Sequence, residues 1–357
     1  MTLEGKEIWI ISPESWGLSL FSKHYYALTL AEMGNKVLFL QPGPAGKQPH
    51  PNITLVQDNS YIKGTNRLPD SLAKRIHRLQ VKRIMSAYNS TPDLVWVFDD
   101  SQRKHFDVFL PAKVIYHLMD LRAGQHLASS AAHADLCIGV TAGIVEKLQA
   151  FSKRCLHVPH GYVDYLATSI SVPTVEEPIK AAFVGNLLIP YLHWPSIVQT
   201  ITQHPQVHFF FIGSTGAGNL NPNAPKQNPA PLELISQASN VTLVGELSPA
   251  DVQTFISQCD FLFYSLEFPK NWGPVEDAHK ILTYLGTGKP IVGTPLSAYN
   301  QTKDLIYFTE AEELHIRVKE VVENLVELSN PVLAEKRRGF ALNQLYSEHI
   351  KRIEAIL

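Results

Sequence analysis

The stretch HKILTYLGTGKPIVGTPL, residues 279–296, decides the fold. It continues a helix that opens at Asp277-Ala278-His279 and leads into the short apolar run PIVGT (290–294). A helix that feeds an apolar, β-branched run is the closing half of a β-α-β unit, the repeating element of parallel sheets. Upstream, AAFVGN (181–186), VHFFFIG (207–213), VTLVG (241–245) and FLFYS (261–265) continue the same alternation and form one parallel set. A second set precedes it: EIWIIS (7–12), KVLFLQP (36–42), ITLVQ (53–57), LVWVFD (94–99), KVIYHLMD (113–120), DLCIGV (135–140) and CLHVP (155–159). Their unbroken apolar character is that of strands covered on both faces. Gly34, in Met33-Gly34-Asn35, suits the left-handed end of the first helix.

Between the two sets lies SVPTVEEP (171–178), two prolines and two glutamates without apolar periodicity, which reads as a linker. The expected organisation is a first domain over 1–168, a second over 179–335, and a final segment, 336–357, that returns to the first domain. The Gly-, Asn- and Pro-rich stretch 214–231 is too irregular for regular structure and reads as a long functional loop. Two doubly wound halves place their carboxyl strand ends around an inter-domain cleft, where open parallel sheets bind ligands.

The 357 residues are 45% hydrophobic and 18% charged, with a net charge of -2, so the chain has ample core and no basic excess for a nucleic-acid surface. The apolar run at Ile8–Ile11 is too short for a signal peptide, and no stretch of about 18 apolar residues suggests a spanning helix. Cys137, Cys155 and Cys259 lie far apart without C-x-x-C spacing, each among apolar residues. They read as reduced core cysteines, not metal ligands, and the expected compartment is the cytoplasm.

Read together, the two halves resemble the GT-B glycosyltransferases, in particular bacterial enzymes that build surface polysaccharides. The most specific piece is residues 279–296, similar to the family pattern K-L-x-E-Y-L-A-x-G-K-P-V-V. SWGLSLFSKHYYALTLAEMGNKV (15–37), VPHGYVD (158–164), FVGNL (183–187) and NVTLVGELSPADVQTFISQCDFLFY (240–264) follow in the family's order. The resemblance implies transfer of a sugar from a nucleotide sugar, UDP- or GDP-linked, to a carbohydrate or lipid-linked acceptor. It implies no cofactor and no metal, because helix N-termini and a nearby cation stabilise the charge on the leaving diphosphate.

Lys280 matches the family lysine that reaches the diphosphate; its other reading is a solvated helix lysine. Gly17, at the turn after the first strand, either lets the backbone approach the phosphates or is an ordinary turn glycine. The family glutamate that holds the ribose hydroxyls is replaced by Thr283, too short and neutral to clamp a diol. Glu276 and Asp277 lie close by and either is a substitute. Asn186, Glu246, Tyr264 and His160 complete the implied donor set, His160 either touching the donor or capping the hinge.

Inverting transfer needs a base for the acceptor hydroxyl. Asp120, at the carboxyl edge of KVIYHLMD, is the candidate, with helix capping as its alternative role. Asp99 and Asp100 are the runners-up, and His117 reads as a packed strand histidine. Retaining relatives carry cations soon after F-V-G. None lies between Asn186 and Trp194 here, which favours inversion. Trp16, Tyr25, Tyr264 and Trp272 are available for sugar stacking or for packing.

Residues 71–88, SLAKRIHRLQVKRIMSAY, hold Lys74, Arg75, Arg78, Lys82 and Arg83 without an acid, and Leu72, Ile76, Leu79 and Ile84 at helical spacing. This is either a helix lying on the inner face of an anionic membrane, serving a lipid-linked acceptor, or a solvated basic face. A dehydrogenase is excluded by PESWGLS where G-x-G-x-x-G belongs, and a P-loop by Pro290 in LGTGKP. A GT-B-fold sugar-nucleotide epimerase and a non-catalytic relative that binds sugar or a partner transferase remain as alternatives.

Overall fold

A computed structural model describes residues 1–17, 20–58, 62, 64–121, 126–215, 229–267, 280–299, 302 and 304–357. Its strands are β1 Glu7–Ile11, β2 Lys36–Gln41, β3 Ile53–Gln57, β4 Leu94–Val97, β5 Lys113–Leu118, β6 Leu136–Gly139, β7 Cys155–His157, β8 Ile179–Val184, β9 Val207–Ile212, β10 Val241–Gly245, β11 Phe261–Tyr264, β12 Ile291–Gly293 and β13 Tyr307–Phe308. Its helices are α1 Ser22–Glu32, α2 Asp70–Tyr88, α3 Leu127–Ala131, α4 Ala142–Gln149, α5 Trp194–Gln203, α6 Ala230–Ser236, α7 Pro249–Ser257, α8 Lys280–Thr287, α9 Leu314–Glu323, α10 Leu325–Leu328, α11 Pro331–Leu342 and α12 Tyr346–Glu354.

Two parallel sheets result, one in the order β3-β2-β1-β4-β5-β6-β7 and the other β10-β9-β8-β11-β12-β13. Each is doubly wound, because the strand order reverses between β1 and β4 in the first and between β8 and β11 in the second. The strands match the apolar runs in the sequence, most ending one or two residues earlier at their carboxyl ends. β9 is buried at every position and β1 at all but its first, as strands sandwiched between helix layers must be. β13, two residues long, was not expected.

The chain divides into two compact units, Met1–Gly161 with Tyr346–Leu357, and Tyr162–Leu345. The crossings therefore fall at Gly161/Tyr162 and Leu345/Tyr346, not around 168–179 and at 335/336. The reason is tertiary. Residues 165–172 are docked on α7 and the Gln258 that follows it, whose side chains accept from their backbone: Tyr165 N–H to Gln253, Thr168 N–H to Thr254 Oγ1 at 2.9 Å, and Val172 N–H to Gln258 at 3.2 Å. A proline-rich stretch that reads as a linker is thus an irregular flank of the second unit.

The basic helix α2 also differs from its pattern. Its buried face is Ala73, His77, Gln80, Val81 and Ile84, while Leu72 and Leu79 are 46% and 54% exposed. The supposed apolar stripe is split, Ile84 inward and the two leucines outward. Asp107 pairs with Lys74 at 3.1 Å and Arg78 at 3.4 Å, which leaves Arg75, Lys82 and Arg83 on the exposed side with the leucines.

Candidate functional site

The second unit concentrates its chemistry at the carboxyl edge of β8 and β9, each followed directly by a glycine, and of β10, which ends in one. Gly185 and Gly213 have φ of +146° and +141°, a region that L side chains rarely adopt. A Cβ on Gly213 would lie 2.1 Å from the Gly185 carbonyl oxygen, so the two strand ends approach as closely as bare backbone allows. Gly185 N–H donates to Ile212 at 2.9 Å, and Leu187 N–H to Ser214 at 2.9 Å, stitching the two loops together. Asn186 folds its side chain back to accept from Leu188 N–H at 2.7 Å, and so shapes the loop after β8. Glu246 is exposed directly after β10.

Lys280 stands over this edge. Its Nζ is 4.2 Å from the Phe183 ring centroid, 5.8 Å from that of Tyr264, and 3.6 Å from the Cβ position of Gly185. Phe183 belongs to β8 and Tyr264 to β11, so the ammonium sits at the strand-order reversal of the second sheet, where open α/β sheets bind ligands. Burial lowers its pKa to about 7. Among the described residues no carboxylate pairs with it. A desolvated cation with no carboxylate partner among the described residues suits an anion.

The helix that carries Lys280 is held in place by two devices. Tyr284, one turn on, accepts from Val184 N–H at 2.6 Å and so ties α8 to the end of β8. At its other end Arg337 is buried and donates to the carbonyls of Gly288, Leu305 and Leu328 at 3.1, 3.1 and 2.9 Å. Thr283 is half-buried, three residues after Lys280 on the same helix. Tyr264 is fully buried, its hydroxyl without a hydrogen-bond partner, and burial pushes its pKa up. Glu276, with Asp277, His279 and Trp272, lies outside the described residues.

In the first unit three carboxylates expected at strand ends have separated into distinct environments. Asp100 is buried and accepts from Tyr116 Oη at 2.8 Å, His126 N–H at 2.9 Å and Ser130 Oγ at 3.0 Å, so it anchors the start of α3. Asp99 accepts from Ser101 N–H at 3.1 Å and Ser101 Oγ at 2.6 Å in a local turn. Asp120 alone of the three is exposed, in the bend two residues after β5.

His117 is packed inside the sheet layer, as its strand position predicts. Trp96 Nε1 donates to its Nδ1 at 3.3 Å, and burial holds its pKa well below the usual value. His160 is half-buried, its Nδ1 3.3 Å from Ser22 Oγ, which in turn accepts from Tyr346 Oη at 3.1 Å. Gly17 is exposed with no atom within 4 Å of its Cβ position and no positive φ, so neither crowding nor a tight turn requires glycine there. Trp16 packs edge-on against His24 and Phe39, and Tyr25 stacks on Tyr346 at 5.3 Å.

Sequence reasoning grouped Lys280, Tyr264 and Asn186 in one donor set. It missed Phe183, Gly185, Gly213 and Tyr284. The available signal was a glycine closing each of three successive apolar runs, FVG, FIG and LVG.

Two doubly wound parallel units with these strand orders define a chain of the GT-B fold. Solved structures bear this out over nearly the whole length. A glycosyltransferase from Rickettsia africae is similar with a TM-score of 0.68 at 11% identity, covering 98% of this chain and 97% of that one. HepE from Anabaena in complex with UDP is similar with a TM-score of 0.65 at 13% identity, covering 98% of each chain. Sucrose-phosphate synthase from Thermosynechococcus elongatus follows at 0.63 and 14%, covering 98% of this chain and 97% of its own. No family model matches the chain, and no curated protein matches it by sequence.

Proposed function

We propose that the chain is a glycosyltransferase that moves a sugar from a nucleoside diphosphate sugar to an acceptor hydroxyl. The observation that carries this reading is the desolvated ammonium of Lys280 at the strand-order reversal, facing bare glycine backbone and lacking an acidic partner among the described residues. A diphosphate supplies the missing charge, and Lys280 stabilises the negative charge that grows on the leaving oxygen without calling on a metal. HepE, a protein of the same fold, has been seen with UDP and with UDP-glucose, which supports a UDP-linked donor here.

In this reading the second unit holds the donor through Lys280, with Asn186, Glu246, Tyr264 and Thr283 as its further donor contacts. The first unit carries Asp120, whose carboxylate takes the proton from the acceptor hydroxyl as its oxygen attacks the anomeric carbon. Gly17 and His160, in the first unit, are the remaining candidates for contact with the donor. The absence of Lys or Arg between Asn186 and Trp194 supports inversion.

Asp120→Asn is the test. General-base catalysis contributes roughly 10²–10⁴-fold, so transfer falls by that factor while donor affinity holds. Wild-type protein that interconverts a UDP-sugar without an acceptor is an epimerase instead. Wild-type protein that neither binds nor turns over a nucleotide sugar is a non-catalytic relative, the outcome Thr283 would explain.

The outer side of α2, with Leu72 and Leu79 exposed among Arg75, Lys82 and Arg83, supports peripheral contact with an anionic membrane face and a lipid-linked acceptor. No helix among the described residues is long and apolar enough to cross a membrane. Co-sedimentation with vesicles containing phosphatidylglycerol, reduced in Leu72→Glu/Leu79→Glu, is the expected result. Equal partition into neutral and anionic vesicles contradicts it.

A further inference from the structure

We infer that Cys137 and Cys155 form a dithiol modification site, which a low-molecular-weight disulfide closes to an intrachain disulfide joining β6 to β7. Eighteen positions apart and without motif spacing, the two cysteines are direct partners in the parallel register of these strands. Partners in register share a face of the sheet, and neighbouring strands lie about 4.8 Å apart, inside the Cα separation of roughly 4.4–6.8 Å that a disulfide spans. Their thiols are within hydrogen-bonding reach of each other and of Ser152. Cys137 Sγ points to the Ala131 carbonyl at 3.7 Å and Cys155 Sγ to that of Ser152 at 3.3 Å, weak bonds that yield to a rotamer change.

Access differs between the two. Cys137 is fully buried and its pKa is raised to about 12, whereas Cys155 is half-buried on β7, the three-residue edge strand of its sheet. The reaction therefore starts at Cys155. Its thiol loses a proton to water and attacks oxidised glutathione, forming a mixed disulfide and expelling one glutathione thiolate. Cys137 then loses its proton and attacks the Cys155 sulfur, forming the Cys137–Cys155 bond and expelling the second thiolate. Two protein thiols are oxidised and one small disulfide is reduced to two thiols. Burial raises both thiols, so closure is faster at pH 9 than at pH 7. The bond ties down β7, whose chain continues through Val158 to His160.

Cys259 is the internal control, fully buried in the second unit with its Sγ on the Phe255 carbonyl at 3.9 Å. The protein is incubated with oxidised glutathione at pH 9, denatured without reductant and alkylated. The alkylated thiols are expected to fall from three to one, with a peptide linking Cys137 to Cys155 in the digest. Cys259→Ser loses the same two thiols, and Cys137→Ala stops at a glutathione adduct on Cys155. Amide exchange across residues 155–158 slows in the oxidised wild type. Three alkylated thiols after treatment, or linkage through Cys259 or between chains, overturns the proposal. This test is independent of any transfer activity.

Discussion

Lys280→Met will weaken binding of nucleoside diphosphates roughly 30- to 140-fold and will not lower the melting temperature of the ligand-free protein. The first half follows from a charge-assisted contact to phosphate, worth about 2–3 kcal/mol, at about 1.4 kcal/mol per decade. The second follows from the sign of the lysine's own titration. A Lys280 lowered to about 7 from an ordinary 10.5 holds its proton less tightly in the folded chain than in the unfolded one. It therefore costs stability fully below pH 7, and the cost fades as pH rises from 7 to 10.5. Methionine keeps the apolar stem against Phe183 and Tyr264 and removes that cost. Isothermal titration with UDP and melting curves at pH 7 check both halves. A variant that melts lower and still binds UDP makes Lys280 a packing residue.

Mild acid will unfold the first unit before the second. Four histidines of the first unit, His24, His77, His117 and His349, are fully buried. Desolvation is the largest cause of each lowered pKa, to about 4 for His24 and His77 and about 3 for His349. His117 is shifted the same way. Their charged neighbours are mostly cations, Lys23 beside His24, Arg103 and Lys104 beside His77, and Arg352 beside His349, which oppose protonation further. The unfolded chain takes up these protons near pH 6.5 and the folded chain does not. Stability is thus fully present above pH 6.5 and is lost as pH falls toward 4. At pH 5 each of His24, His77 and His349 costs about 2 kcal/mol, a sum comparable to the whole stability of an ordinary domain. Trp9, Trp16 and Trp96 report the first unit, and their emission should shift in a melt at pH 5 well below the midpoint at pH 7. A melting temperature flat between pH 7 and 5 contradicts this.

What the amino-acid order made legible follows from how local each signal is. The strands could be read because parallel strands buried on both faces are unbroken apolar runs, and both sheets were visible from β1 to β12. β13 was not, because two residues carry no pattern. The buried face of α2 escaped notice because it includes His77 and Gln80, which a count of apolar spacing sends to solvent. The unit boundary escaped because Gln253, Thr254 and Gln258 bind the backbone of Tyr165, Thr168 and Val172, at the start of the linker-like stretch, contacts made some 86–88 residues away.

The candidate site divides along the same line. Lys280 could be found from a motif, but its lack of a described counter-charge and its seat between β8 and β11 are products of tertiary packing. Asp99, Asp100 and Asp120 all read as strand-end carboxylates, with Asp120 favoured, and only folding assigns Asp100 to three buried donors and leaves Asp120 exposed. The pairing of Cys137 with Cys155 has no sequence signature at all, since register between non-consecutive segments is set by the sheet.

The central claim is that the second unit is built to hold a nucleoside diphosphate at Lys280. The measurement that tests it most directly is the melting temperature of the wild-type protein and of Lys280→Met with UDP, GDP, ADP, CDP and dTDP. A ligand that binds only the folded state raises the melting temperature with its occupancy. A rise is expected with one of these nucleotides, UDP first among them, and is lost in Lys280→Met. No rise with any of them at millimolar concentration, or an equal rise in both proteins, contradicts it.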